Sequence, residues 1–555
     1  MRPVGVLILA AGKGTRMRSR TPKVAHHIAG RPLLEHVLRA ADSALAPTGD
    51  SSDESASSAP QYVVVTGHER DAVRASLRWQ PKHGDLNFVV QEPQRGTGDA
   101  ARVGLSGFAE GAEGAEGAEG AEGAEGAEGA ERAEGAPETL LVLYGDTPLM
   151  RPETLRKLLA EHQQRNATLS FLTGFCEEPG SYGRVVRDER GRVRGIVEAK
   201  HATNDELSIT EINSGVYCFQ TGWLAEHLPR LETHDNGEYY LTDLVAMALA
   251  EGRTVATQSA SIEEAMGIND RIQLAEAEAI LRQRALRELM LSGVTIEDPA
   301  TTYVEASVRV GQDTILRPGT TLRGETVIGE RCEIGPYSVI QDCVIADDCR
   351  VYASWLEHAT MRNGARIGPM SHLRPGAELG PGAHVGNFGE VKNATLGDDV
   401  QMHHFSYVGD ASVGARTNVA AGVITCNFEP DGKKYRTDIG EDVFVGSDTM
   451  LVAPITLGDG ARTGAGSVVT RDVPPGSLAV GMPARIRGDK TKQSAHNDAQ
   501  PATAPSGLNL AAEKSTEAPA KAADTETATA AQEADADTTS PRGGASPNAH
   551  RDVRE

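Results

Sequence analysis

No apolar run in this 555-residue chain exceeds strand length. The longest, such as Val4 to Ala11 and Leu140 to Tyr144, fall well short of the roughly 20 residues that cross a bilayer. A membrane span is therefore not expected. The N-terminus offers one Arg and then a strand, without a secretory-signal pattern. CxxC spacing is also missing. The six cysteines (Cys176, Cys218, Cys332, Cys343, Cys349, Cys426) are scattered, which reads as buried thiols in a reducing compartment. The expected location is the cytoplasm. Positive charge is scarce: 55 Lys and Arg against 78 Asp and Glu leave a formal charge of -23. Such a chain is a poor partner for nucleic acid or anionic membrane, and neither is expected. Much of the negative charge lies in low-complexity segments, so the folded part is closer to neutral.

Residues 1–270 alternate apolar strand-like runs with helix-like stretches, the pattern of an α/β domain on a mostly parallel sheet. Two segments interrupt it. One near 48–60 is rich in Ser, Asp and Ala and reads as a flexible loop. The other, near 110–135, is an Ala-Glu-Gly repeat. Its regular glycines oppose a helix and it has little to bury, so disorder is expected. Residues 271–293 read as a linker helix with regular leucines, closed by Gly293.

From 294 to 487 the texture changes to a six-residue period. Ile367, Leu373, Leu379, Val385 and Val391 keep it, as do Ile439, Val445, Leu451, Leu457, Thr463 and Val469. Glycine often follows the aliphatic residue. This is the hexapeptide signature of a left-handed parallel β-helix, in which the aliphatic side chain fills a triangular prism. Residues 488–555 are poor in large apolar groups and should be disordered. The expected fold class is thus a Rossmann-like α/β domain followed by a left-handed β-helix.

The first strand runs into Ala10-Ala11-Gly12-Lys13-Gly14-Thr15-Arg16-Met17, with Pro22-Lys23 close behind. Glycines there let backbone N–H groups turn toward an anion, Lys13 and Arg16 add charge, and a following helix would add its positive end. Asp146, in Tyr144-Gly145-Asp146-Thr147, sits at a strand end where a carboxylate could hold Mg²⁺. These motifs resemble the sugar-nucleotidyltransferase signature over about residues 4–270. The resemblance implies nucleotide and sugar contacts from Leu9, Ala10, Ala11, Gly12, Arg16, Lys23, Gln91, Gly96, Thr97, Tyr144, Gly183, Glu198, Asn213, Tyr240 and Thr242. It implies Asp146 and Asn269 as Mg²⁺ ligands, Asn269 doubling as a nucleotide contact.

In the repeat region Arg374 and Lys392 each follow an inward aliphatic and lie eighteen residues apart, three hexapeptides or one coil. They should stack about 4.8 Å apart. Stacked like charges call for an anion, and a sugar phosphate would serve. His403-His404 follows, and a histidine beside that site suits proton removal from an attacking amine. Spacing does not choose between the two.

Leu373–Ala377, His384–Phe388, Thr425–Asn427 and Val443–Asp448 resemble the acetyltransferase half of the bifunctional N-acetylglucosamine-1-phosphate uridyltransferases, over about 300–475. That resemblance implies His404 as base, with Arg374, Lys392, Tyr407 and Asn418 holding the sugar phosphate. Asn427 faces the sugar and the acetyl-CoA, whose channel takes Ala421, Phe428, Ser447 and Ala465. Phe428 replaces a usual Tyr, and Arg485 is the candidate for an arginine the family carries after its last repeats. It further implies a homotrimer with acetyl sites between chains. Its substrates would be acetyl-CoA, glucosamine-1-phosphate, N-acetylglucosamine-1-phosphate and UTP. The product would be UDP-N-acetylglucosamine, a precursor of peptidoglycan and lipopolysaccharide. Two rivals stay open: a sugar-1-phosphate nucleotidyltransferase whose β-helix only regulates, or one whose β-helix only trimerises.

Overall fold

The computed structural model describes residues 3–46, 59–67, 69–81, 84–109 and 137–482. The loop expected near 48–60 falls outside them except for Ala59 and Pro60. The repeat at 110–135, the tail at 488–555 and Arg485 also lie outside the described residues.

Nine strands build the front sheet: β1 (Val4–Ala10), β2 (Gln61–Thr66), β3 (Leu86–Val90), β4 (Thr139–Tyr144), β5 (Leu169–Phe175), β6 (Arg184–Arg187), β7 (Val193–Val197), β8 (Glu211–Gln220) and β9 (Val255–Ser259). The order is β9-β5-β8-β4-β1-β2-β3, with β6 pairing β8 and β7. β4, β1, β2 and β3 are parallel neighbours, while β8 runs antiparallel to β4 and β5. Parallel strands are covered on both faces, so they read as continuous apolar runs. In β1, Val6 and Ile8 enter one core cluster and Leu7 and Leu9 the other.

One expectation fails here. No α-helix follows the glycine loop. A three-residue 3-10 turn, Thr15–Met17, does so, flanked by Gly14 (φ 58°) and Arg18 (φ 48°) in left-handed conformations. The left-handed flanks and Pro22 stop propagation, and the first α-helix starts at Leu33. A helix dipole therefore does not back this loop.

The linker is a helix over Arg271–Leu291. The Asp270 carboxylate accepts from the N–H groups of Ile272 and Gln273, and Gly293 leaves it at φ 99°. Ala277 buries against Ile28, Leu33, Leu149 and Ile268, tying the helix to the front domain.

Short strands from Thr295 to Ala479 then form three parallel sheets of 11, 10 and 9 strands, the faces of a left-handed β-helix. Every residue in the two six-residue series above is buried in its interior. The count is not uniform. Leu396 comes five residues after Val391, so several coils span 17 residues, as in Glu390↔Tyr407. A hairpin after Cys426 stretches another step to 26, with Ser412 paired to Asp438.

Candidate active sites

β1 and β4 are parallel neighbours, with Leu9 opposite Tyr144. Their carboxyl ends therefore deliver the glycine loop and Asp146 to one crevice, where ligands bind in open α/β sheets. The Gly145 N–H donates to the Leu9 carbonyl (3.0 Å) and fixes the two loops together. The crevice has a volume of about 730 Å³. It brings together Leu9, Ala10, Ala11, Gly12, Lys23, Gln91, Gly96, Thr97, Tyr144, Asp146, Gly183, Glu198, Asn213, Tyr240 and Thr242. Two expected contacts are not among the lining residues: Arg16, which stands exposed on the 3-10 turn, and Asn269, which meets the cleft through Lys23.

Lys23 reaches across to Asp146 Oδ2 and sits 3.4 Å from Asn269 Oδ1. Asn269 Nδ2 donates to the Gly267 carbonyl (3.2 Å), which turns its oxygen toward the ammonium. The Ile268 N–H donates to the Asp146 carbonyl (2.9 Å). Two hard oxygens thus converge on one cation. That donor set fits Mg²⁺, which takes few protein ligands and keeps its waters. No cluster of three or more His, Cys, Asp or Glu occurs among the described residues, so a fully protein-built metal cage is not offered instead.

At another part of the cleft, Thr242 Oγ1 donates to Glu198 Oε1 (3.1 Å). Asn236 Nδ2 donates to the Tyr240 hydroxyl (2.7 Å), and the Lys200 ammonium lies 4.4 Å from the Tyr240 ring centroid. Burial first, then the nearby Glu198 charge, pushes the Tyr144 hydroxyl far above its ordinary range, so it stays a neutral hydrogen-bonding group. The sequence reading missed Lys200, Tyr182 and Asp99. Asp99 is buried behind Gln91. Burial alone would raise its carboxyl, but hydrogen bonds from Gln91 and Arg102 and the charge of Arg95 hold it low.

On the β-helix, Leu373 pairs with Val391 in parallel register, and the Arg374 N–H donates to the Val391 carbonyl (2.8 Å). Arg374 therefore lies directly one coil from Lys392. The next residue in that column is Gly409, so the stack of cations ends there. A third cation arrives from elsewhere. Lys434, on the hairpin, lies against Lys392. It and then Arg374 push the Lys392 ammonium below the usual lysine range. Glu390 Oε1 accepts from Arg374 (2.9 Å), and Asp410 Oδ2 accepts from Asn427 Nδ2 (2.5 Å). Asn427 also reaches the Tyr407 hydroxyl (3.4 Å). Lys434 escaped the sequence reading because the hairpin stands outside the six-residue count.

The two histidines now differ. His403 lies tilted against His384 (4.9 Å between ring centroids) and bonds Gln401 Oε1 (3.0 Å). His404 is exposed, and its Nδ1 lies 2.7 Å from Asn387 Oδ1. An amide oxygen only accepts, so Nδ1 carries the proton and Nε2 keeps its lone pair. Successive backbone bonds, Phe405 N–H to Asn387 O, Gly422 N–H to His404 O, Asp448 N–H to Ala421 O and Gly466 N–H to Ser447 O, stack five residues on one edge. They are Asn387, His404, Ala421, Ser447 and Ala465. Four steps of about 4.8 Å make a column of about 19 Å. Asn418, three places before Ala421, shares this face. Phe428 opens the hairpin and is 65% exposed. Beside the column, Tyr337, Met370, Phe388 and Phe405 occupy left-handed backbone positions and expose apolar side chains at the corner.

Residues 6–204 match the model of the MobA-like NTP transferase domain, and 436–471 match that of the bacterial transferase hexapeptide (six repeats). The chain is 43% identical over 488 residues to the bifunctional protein GlmU of Pelobacter propionicus, covering 86% of this chain and 96% of that one. It is 45% identical over 479 residues to the GlmU of Stutzerimonas stutzeri, with 86% and 96% covered. Against the GlmU of Streptomyces avermitilis it is 42% identical over 488 residues, with 86% and 92% covered.

Proposed function

This chain belongs to the family of bifunctional GlmU proteins, and from that premise we propose how its two sites divide the synthesis of UDP-N-acetylglucosamine. The β-helix acetylates glucosamine-1-phosphate with acetyl-CoA. The front domain joins the product to UTP and releases pyrophosphate.

In the first step Arg374, Lys392, Lys434 and Tyr407 hold the sugar phosphate. The sugar amine attacks the thioester carbonyl, His404 Nε2 takes the amine proton, and the CoA thiolate leaves. Acetyl-CoA lies along the column of Ala421, Ser447 and Ala465, with Asn418, Asn427 and Phe428 at its thioester end. Asn387 holds the tautomer that leaves Nε2 free. A general base contributes about 10²- to 10⁴-fold.

In the second step a phosphate oxygen of N-acetylglucosamine-1-phosphate attacks the α-phosphorus of UTP. Gly12 and its neighbours approach the phosphates by their backbone, and Lys23 neutralises charge that moves to the leaving group. Gln91 and Gly96 read the uracil. Glu198, Asn213, Tyr240 and Thr242 hold the sugar. Mg²⁺, held by Asp146 and Asn269, supplies further charge neutralisation when bound.

The exposed apolar corner of Tyr337, Met370, Phe388 and Phe405 supports a homotrimer that covers it and shares the acetyl sites. No helix among the described residues is long and apolar enough to cross a membrane, and the expected cytoplasmic location is retained as part of this reading.

The observation that carries the proposal is the pairing of a tautomer-fixed His404 with the Arg374–Lys392–Lys434 cluster on neighbouring faces. His404→Ala should remove CoA release in the presence of glucosamine-1-phosphate and spare UTP turnover. Undiminished CoA release would return the β-helix to the role of scaffold.

A further inference from the structure

We infer that Asp99 is the positioning residue that makes the front site choose a uracil ring over a cytosine ring. The inference rests on the reading that Gln91 faces the base.

Gln91 is buried but lines the nucleotide cleft. Its Nε2 lies 3.0 Å from the Gly96 carbonyl oxygen and 2.9 Å from Asp99 Oδ2. Both neighbours accept only. An amide nitrogen has two hydrogens, and both are spent here. The side chain is therefore locked with Oε1 as its remaining polar atom. Asp99 is itself fixed from the other side, since its Oδ1 accepts from Arg102 (2.7 Å) and Arg95 (3.3 Å). Oδ2 is left for Gln91. Ionised and buried at the first turn of the helix over Thr97–Ala109, it cannot turn into a donor.

The consequence falls on the base. Oε1 offers an acceptor to position 3 of a pyrimidine. Uracil carries N3–H there and donates to it. Cytosine carries a lone pair there and is repelled. The Gly96 N–H supplies a donor for the adjacent carbonyl of uracil, where cytosine presents an amino group. The Gly96 carbonyl alone would satisfy only one Nε2 hydrogen, and without Asp99 the amide could rotate and present Nε2 to the cytosine nitrogen. Asp99 is thus read as a selector acting through Gln91. From sequence alone it looks like an ordinary acidic residue in a first helical turn.

The test is kcat/KM for UTP and for CTP, with N-acetylglucosamine-1-phosphate, in the full chain carrying Asp99→Ala, Asp99→Asn or Gln91→Leu. Asp99→Ala should lower the UTP/CTP ratio by about tenfold, the loss expected when one charged hydrogen bond stops enforcing a buried amide. Asp99→Asn has a single acceptor oxygen for the two arginines and Gln91 together, so its NH2 would face Gln91 Nε2 and the ratio should fall as in Asp99→Ala. Gln91→Leu should abolish most of the discrimination. Equal losses with UTP and CTP in Asp99→Ala, leaving the ratio unchanged, would overturn the inference. A ratio that survives Gln91→Leu would instead sink the reading of Gln91 as the base contact. Thermal unfolding of the same samples reports whether the front domain is folded, and Asp99→Leu carries the same expectation as Asp99→Ala should that variant fold poorly.

Discussion

Asn387 never touches a reacting atom in this account, yet its removal should slow acetyl transfer by a calculable amount. Its Oδ1 lies 2.7 Å from His404 Nδ1 at an exposed edge of the β-helix. A hydrogen bond between neutral groups is worth about 0.5–1.5 kcal/mol net. Losing it shifts neutral His404 toward the tautomer whose Nε2 bears the proton and cannot accept another. Since about 1.4 kcal/mol is a tenfold rate change, Asn387→Ala should cut kcat for acetyl transfer by about two- to tenfold. Asn387→Asp keeps an acceptor at that place and should retain more activity than Asn387→Ala. Uridylyl transfer in the same protein should not change. The assay is thiol release from acetyl-CoA at saturating glucosamine-1-phosphate. A loss as deep as that of His404→Ala would mean that Asn387 holds the fold of the edge instead of a tautomer. No loss at all would mean that the bond does not prepare the base.

Three further outcomes follow from other parts of the chain. Lys392→Ala and Lys434→Ala should each raise KM for glucosamine-1-phosphate about fivefold, and the effect should shrink as salt rises because Lys434 is exposed and Lys392 only half-buried. Leu373 is fully buried in the prism, so Leu373→Ala should destabilise the β-helix by about 2–5 kcal/mol, read by thermal or denaturant unfolding. His36 is buried against the Ile28 carbonyl, and burial first of all lowers its pKa from 6.5 to about 4. The unfolded chain therefore binds a proton between those values that the folded chain refuses. Stability should fall as pH drops from 6.5 toward 4, by about 3 kcal/mol in total, then level off from this group. His36→Gln should flatten that part of the curve.

The β-helix was legible because a six-residue period admits few other folds, and each periodic aliphatic proves to be interior. The Arg374–Lys392 stack was legible because the stretch between them keeps an unbroken count of eighteen. The same count misleads one coil later. Eighteen residues beyond Asn387 is Phe405, but the five-residue side ending at Leu396 brings His404 there instead. That single missing residue gives His404 its acceptor for Nδ1. Lys434 was illegible for a related reason, since a hairpin carries it out of the count and back onto Lys392. In the front domain the ordered motifs located nearly the whole cleft. They did not give Asp99, whose role depends on a contact with Gln91 eight residues away. Arg16 and the expected helix after the glycine loop were drawn from motif position alone, and two left-handed residues with a proline overrule that helix.

The central claim is two independent active sites working in series on one chain. It is tested most directly by mixing two full-length variants, His404→Ala and Asp146→Asn, with acetyl-CoA, glucosamine-1-phosphate and UTP. Neither alone should make UDP-N-acetylglucosamine at more than a few hundredths of the wild-type rate, consistent with loss of a general base or of a metal carboxylate. Together they should make it readily, because N-acetylglucosamine-1-phosphate released by one is consumed by the other. A mixture as inactive as its components, or an Asp146→Asn protein that also fails to acetylate, would contradict the account.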